Sequence, residues 1–186
     1  MQATHDILSD FILPPSITAP DGNFFTFTGM RVVVGSNPPP KFKVTKATKA
    51  EFPASDGQSV SYAVLQFPSG GMNPLHTHPH FAELLFLVQG SLEVGEVDTT
   101  GKLYAQTLQK EDMFLFPKGL VHYQYNSNAQ YPAMALSAFG SASAGTVSIP
   151  TTLFTGGTSD DVLAKSLKTD VATIQKLKAG LAPPKP

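Results

Sequence analysis

Between Val60 and Phe139 the chain is a succession of short apolar runs separated by turn-forming residues. Runs of that length at that spacing restrict the fold to an all-β sandwich or barrel. The first run, VSYAVLQF, places Val60, Tyr62, Val64 and Gln66 on one face and Ser61, Ala63, Leu65 and Phe67 on the other. Leu84–Val88 and Leu92–Val97 follow, with Gly90 and Ser91 between them as a tight hairpin connection. Leu103–Leu108, Met113–Phe116, Val121–Tyr125 and Met134–Phe139 complete the set. Several runs are apolar on both faces, so one side faces a barrel interior and the other a second sheet or a partner subunit. The 16 prolines and 15 glycines in 186 residues fit many turns between short elements.

The flanks have a different texture. Residues 1–22 mix Ile7, Leu8, Phe11, Ile12 and Leu13 with Pro14, Pro15 and Pro20 and read as an irregular arm over the domain. FFTFT at 24–28 and RVVV at 31–34 are short β-prone runs, and Phe42–Lys46 alternates as a half-buried strand does. Residues 23–150 are thus expected to form the barrel, and 151–186 a helical extension. A Gly-, Ser- and Thr-rich connection over 140–158 leads into it. Ser159 is a helix N-cap through Leu163, and Thr169 caps a second helix through Lys178, with Gly180 as its stop. Val171, Ile174 and Leu177 form an apolar stripe on it, for packing against the barrel or a neighbouring subunit.

Composition excludes several classes of function. A formal net charge of −1 supplies no basic field for nucleic acid or an anionic membrane surface. No stretch reaches the ~18 to 20 apolar residues of a membrane span. The absence of cysteine removes disulfides, thiolate metal sites and cysteine nucleophiles. The N-terminus lacks a charged segment followed by an apolar core, so it does not read as a signal peptide; a processed secreted form has the same appearance.

The chemistry concentrates in GGMNPLHTHPHFAELLFLVQG, residues 70–90. His76 and His78 project to one face of an extended segment. Glu83 opens a strand that is otherwise apolar, where a carboxylate is costly unless paired or bound to a metal. His122, in FPKGLVHYQYN, is the fourth candidate. His80 follows Pro79 and reads as a surface or interface residue, and His5 in the arm as solvated. Asn126 is suited to fixing a strand end by hydrogen bonding.

Two ordered patterns carry a resemblance. Gly70, His76, His78, Glu83 and Gly90 fit the first cupin motif, and Pro117, Gly119, His122 and Asn126 fit the second. The wording of GGMNPLHTHP and FPKGLVHYQYN is similar to that of the plant germin-like proteins, and the similarity runs over nearly the whole chain. It implies an all-β cupin barrel, or jelly roll, with a short C-terminal helical extension. It also implies a manganese ion (Mn2+/Mn3+) held by His76, His78, Glu83 and His122. Three neutral nitrogens and one anionic oxygen suit a divalent first-row ion but do not single out manganese, whose identity follows from the resemblance.

The resemblance further implies a secreted, extracellular protein of the plant apoplast or cell wall, assembled as a hexamer of paired barrels. Its expected activity is manganese-dependent superoxide dismutation on a small anionic substrate. The alternatives are oxalate oxidase producing hydrogen peroxide, and a non-enzymatic binding or structural cupin. Oxalate-oxidising relatives hold substrate with two asparagines. One matches Asn73, a substrate-contacting or ligand-supporting residue, and the other falls at Ala63, which has no donor. The second motif normally begins with glycine; Glu111 stands there, at a cost of about 1–2 kcal/mol if the turn is left-handed. The paired N-terminal cysteines of many germins are also missing.

Overall fold

The structure, a computed structural model, describes residues 9–33 and 35–181. Its ten strands are β1 (Lys43–Ala47), β2 (Ser61–Phe67), β3 (Met72–Thr77), β4 (Glu83–Gln89), β5 (Leu92–Val97), β6 (Leu103–Leu108), β7 (Met113–Phe116), β8 (Val121–Tyr125), β9 (Ala133–Phe139) and β10 (Val147–Ser148). They form two five-stranded antiparallel sheets, ordered β1-β2-β9-β4-β7 and β10-β3-β8-β5-β6. This is a jelly-roll barrel, all-β with short helices. Alternation explains which faces meet: Ala63, Leu65 and Phe67 of β2, Leu85 and Leu87 of β4, Leu92 and Val94 of β5, and Phe116 of β7 share one interior core.

The Gly90–Ser91 link is not a hairpin. β4 pairs with β7 and β9, whereas β5 pairs with β6 and β8, so the chain crosses from one sheet to the other at this point. Gly90 has φ +82°, and a Cβ there would lie 2.6 Å from the Pro132 carbonyl oxygen. Only glycine makes so sharp a corner that close to another backbone.

Residues 24–28 and 31–33 are turns and irregular backbone, not strands. Their apolar side chains serve as packing. Val33 sits on Val64 and Met134 on the outer face of the first sheet, and Phe11, Phe24 and Phe25 contact one another edge to face or tilted. Gln58 Nε2 donates to the Asp10 carbonyl and ties this arm down. His5, Ile7, Leu8, Val34 and the final prolines lie outside the described residues.

Three helices end the fold: α1 (Ile149–Phe154), α2 (Asp160–Ser166) and α3 (Val171–Leu181). Sequence patterning misses α1, a short helix with proline in its first turn that lies against β3. Ser159 caps α2 as expected, its hydroxyl accepting from Val162 N. The second cap is Asp170 rather than Thr169, since Asp170 Oδ1 accepts from Thr173 N at 2.9 Å. Gly180 lies within α3 and does not stop it. Ile174 is fully buried against Leu163 and Ala164, while Leu177 remains exposed. Lys178 Nζ, 2.6 Å from Asp160 Oδ1, joins α3 to α2.

Candidate metal centre

A bulge in β3 builds one half of the site. Asn73 pairs with Gln124 and His76 with His122, so three steps along β3 match two along β8. In a regular strand Asn73 and His76 would face opposite sides; the extra residue turns both inward. Pro74, which has no N–H to lose, occupies the bulge. His78 follows the end of β3, and His122 is the second residue of β8. Glu83 opens β4 in the facing sheet, so the barrel brings together groups from both of its walls.

His76, His78, Glu83 and His122 are all buried, and one ligand atom from each lies within 4.8 Å of the others. Three imidazoles and one carboxylate so placed make a site suitable for a metal ion. Each imidazole is oriented by a main-chain carbonyl: Nδ1 of His76 donates to Pro74 O at 2.7 Å, that of His122 to Leu120 O at 2.9 Å, and that of His78 to Gly145 O. With Nδ1 carrying the hydrogen, the Nε2 lone pairs turn to the centre. There His78 Nε2 is 3.0 Å and His122 Nε2 3.3 Å from Glu83 Oε2. Lone pairs facing a buried carboxylate repel unless a cation or a shared proton lies between them, and this donor set fits a metal ion.

The electrostatics agree. Burial pushes the His76 imidazole down to about 4, with the neighbouring His122 acting in the same direction. It therefore stays neutral, as a ligand must. Burial pushes the Glu83 carboxyl up, but in the metal-free site a proton shared with Nε2 of His122 or His78, together with the Ser137 hydroxyl, outweighs it and holds the group at about 2. Phe116 stacks on His122 with ring centres 4.4 Å apart, and Phe139 meets His78 edge-on at 4.9 Å, giving the centre apolar walls.

Two residues that sequence reasoning missed complete the arrangement. Gln124 Nε2 donates to Glu83 Oε1 at 3.3 Å, and Ser137 Oγ donates to the same oxygen at 2.6 Å. Both are fully buried. The available signals were Gln124 two residues beyond His122, on the same strand face, and Ser137 as a lone polar residue in AMALSAF. Asn73 Nδ2 donates to Gln124 Oε1 at 2.7 Å and lies 3.3 Å from His76 Nε2.

A cavity of about 270 Å³ is lined by Asn73, His76, His78 and Glu83, with Ala63 in its wall and Lys46 also among the lining residues. His80 stays outside the group; it is exposed, with Nδ1 3.3 Å from Ser143 O. Asn126 is fully buried and its amide donates to the carbonyls of Pro68 and Tyr131, fixing a loop as expected. Glu111 does adopt a left-handed conformation, with φ 77°.

The cupin family profile matches residues 36–175. The chain is 60% identical over 192 residues to germin-like protein 9-3 of Oryza sativa subsp. japonica, covering all of this chain and 89% of that protein. It is 42% identical over 144 residues to the rhicadhesin receptor of Pisum sativum, covering 76% and 66% of the two chains. Among solved structures, an oxalate oxidase in complex with the substrate analogue glycolate superimposes with TM-score 0.83 at 27% identity, covering 97% of this chain and 98% of that one.

Proposed function

The chain belongs to the cupin family as a plant germin-like protein, and from that premise we propose that it is a secreted, manganese-dependent oxidoreductase that dismutates superoxide. The observation that carries this is the pairing of a buried group of three histidines and a glutamate with a cavity wall that presents a methyl group at Ala63. His76, His78, Glu83 and His122 would hold the ion, which supplies a one-electron Mn2+/Mn3+ couple.

The protein's own contributions follow from its geometry. Glu83 cancels one charge of a divalent ion, so the site keeps net positive charge and draws small anions inward. The carbonyl tethers hold the three rings still, which keeps reorganisation small. Asn73, its amide nitrogen 3.3 Å from His76 Nε2, offers an N–H donor beside the centre to an incoming anion. Superoxide needs little more than this, with its protons supplied by water or a nearby donor.

Oxalate oxidation is the second reading. It is favoured by Asn73 and by the likeness to oxalate oxidase, and weakened by Ala63, since a missing donor to a charged substrate costs about 1.5–3 kcal/mol. A purely binding role is the third, suggested by the receptor among the relatives. Among the described residues no helix is long and apolar enough to cross a membrane. Tyr62, Leu84, Met113 and Leu115 are exposed on the outer face of the first sheet, and they support the proposal of a homo-oligomer, a hexamer of paired barrels.

Elemental analysis of the native protein with parallel superoxide and oxalate assays tests the proposal. The expected result is bound manganese and dismutation, both lost in His78→Ala and Glu83→Ala. Hydrogen peroxide evolved from oxalate without dismutation would establish the second reading, and a metal-loaded protein inert in both assays the third. Full activity in a metal-free variant would overturn all catalytic use of the site.

A further inference from the structure

Ser137 is flanked across the sheet by two buried apolar neighbours, Ala63 on β2 and Leu85 on β4. A fully buried hydroxyl is unfavourable between such neighbours unless it is hydrogen-bonded. Its partner is one particular atom, Oε1 of Glu83, at 2.6 Å. Gln124 Nε2 reaches the same atom from the opposite sheet at 3.3 Å. The other oxygen, Oε2, is the one that faces His78 and His122.

We propose that Ser137 is a positioning residue for the metal centre: by engaging Oε1 of Glu83 it leaves Oε2 as the single ligand oxygen and keeps a neighbouring coordination position open for a small anion. The inference rests on the metal reading above. A carboxylate with both oxygens free can close on an ion through the pair of them. Here that swing would break two hydrogen bonds made by fully buried side chains.

The clamp also has a direction. An ionised carboxylate only accepts, so Gln124 must turn its NH2 to Glu83 and its oxygen to Asn73, and Asn73 must answer with its own NH2. That NH2 is the donor beside His76, so the acid that binds the ion also sets the polarity of the group facing the anion. Ser137, donating from the other side, keeps the acid from rotating out of this chain. A donated hydrogen bond draws charge from the carboxylate as well, which makes it a weaker electron donor to the ion.

The test compares Mn(II)-loaded wild-type protein with Ser137→Ala and Ser137→Thr. Three readouts are used: metal stoichiometry, the electron paramagnetic resonance spectrum of bound Mn(II), and affinity for azide as a small-anion probe. Ser137→Ala is expected to take up Mn(II) but with a changed spectrum, and to bind azide roughly tenfold or more weakly. Ser137→Thr, which keeps the hydroxyl, restores the wild-type spectrum. Should the alanine variant fail to fold, Ser137→Cys keeps the volume with a much weaker donor and is expected to show the same changes. A loaded alanine or cysteine variant with wild-type spectrum and azide affinity overturns the inference and leaves the metal centre standing. Wild-type protein that takes up no Mn(II) overturns the metal reading itself.

Discussion

Ala63 and Ser137 are directly opposite one another in the β2–β9 ladder, and the Ser137 hydroxyl reaches Glu83. One is a methyl group in the cavity wall, the other a hydroxyl committed to the acid. Neither can bind a second carboxylate of a substrate. Ala63→Asn places an amide donor in the wall of the cavity that Asn73 also lines. Oxalate turnover, followed as hydrogen peroxide release, should rise by about ten- to a hundredfold, matching the 1.5–3 kcal/mol of a charged hydrogen bond. An unchanged rate with intact metal content would remove Ala63 as a determinant.

Acid should destabilise the metal-free protein in two stages. The His76 imidazole falls from 6.5 in the unfolded chain to about 4 in the fold, so between those values the unfolded state binds more protons. Stability is complete above pH 6.5 and is lost as pH falls towards 4, by about 3 kcal/mol. Glu83, lowered from 4.5 to about 2, contributes stability above pH 4.5 that disappears as pH falls through 2. Urea unfolding at pH 7 and pH 4.5 measures the first stage. His76→Gln should flatten it, and a variant with the wild-type slope would refute the assignment.

Glu111 holds φ 77° with its side chain exposed, and its only ion pair among the described residues is the solvent-exposed contact with Lys110. Such a pair contributes little. Glu111→Gly relieves the left-handed strain and should stabilise the protein by about 1 kcal/mol, or raise Tm by roughly 2–4 °C. A Tm that falls would mean that the side chain contributes more than the turn costs.

Gly90→Ala should act in the opposite direction and more strongly. The added carbon would meet the Pro132 oxygen at 2.6 Å as well as strain a φ of +82°. We expect a loss of at least about 2 kcal/mol, seen in urea unfolding, together with slower refolding because the corner between the sheets is impaired. A neutral substitution would show that this corner can open freely.

The strands and the four metal-binding candidates were legible because both depend on local pattern. Short apolar runs bounded by turn residues mark β2, β4, β5 and β9, and a lone acid on an apolar strand marks Glu83. The partition into sheets was not legible at Gly90, because a glycine–serine link between two apolar runs has the same sequence whether the runs pair or part. FFTFT and RVVV have high β-propensity, yet their residues cover the outer face of a sheet instead of joining one; tertiary packing overrides a propensity of that size. α1 is hidden by its brevity.

Around the site the same division holds. His76 and His78 share a face by simple alternation, but Asn73 joins them only through the bulge at Pro74 and Leu75, which no period reveals. Gln124 and Ser137 stand 41 and 54 positions from Glu83, on different strands. Their roles become visible only when the barrel closes around the acid.

The carbonyl tethers of the histidines have a consequence for how such a site can diversify. Each ring is aimed by a main-chain oxygen, from Pro74, Leu120 or Gly145, so the backbone path rather than a companion side chain keeps it in place. At Leu120 in particular, substitution can proceed without misaligning a ligand. Glu83 is different: its orientation depends on the side chains of Ser137 and Gln124. The basic half of the centre is therefore robust to mutation, while the acidic half can be retuned one residue at a time. On the proposed metal reading, a lineage of such barrels would change its anion contacts by drifting at positions 63, 124 and 137 while the three imidazoles stay in place.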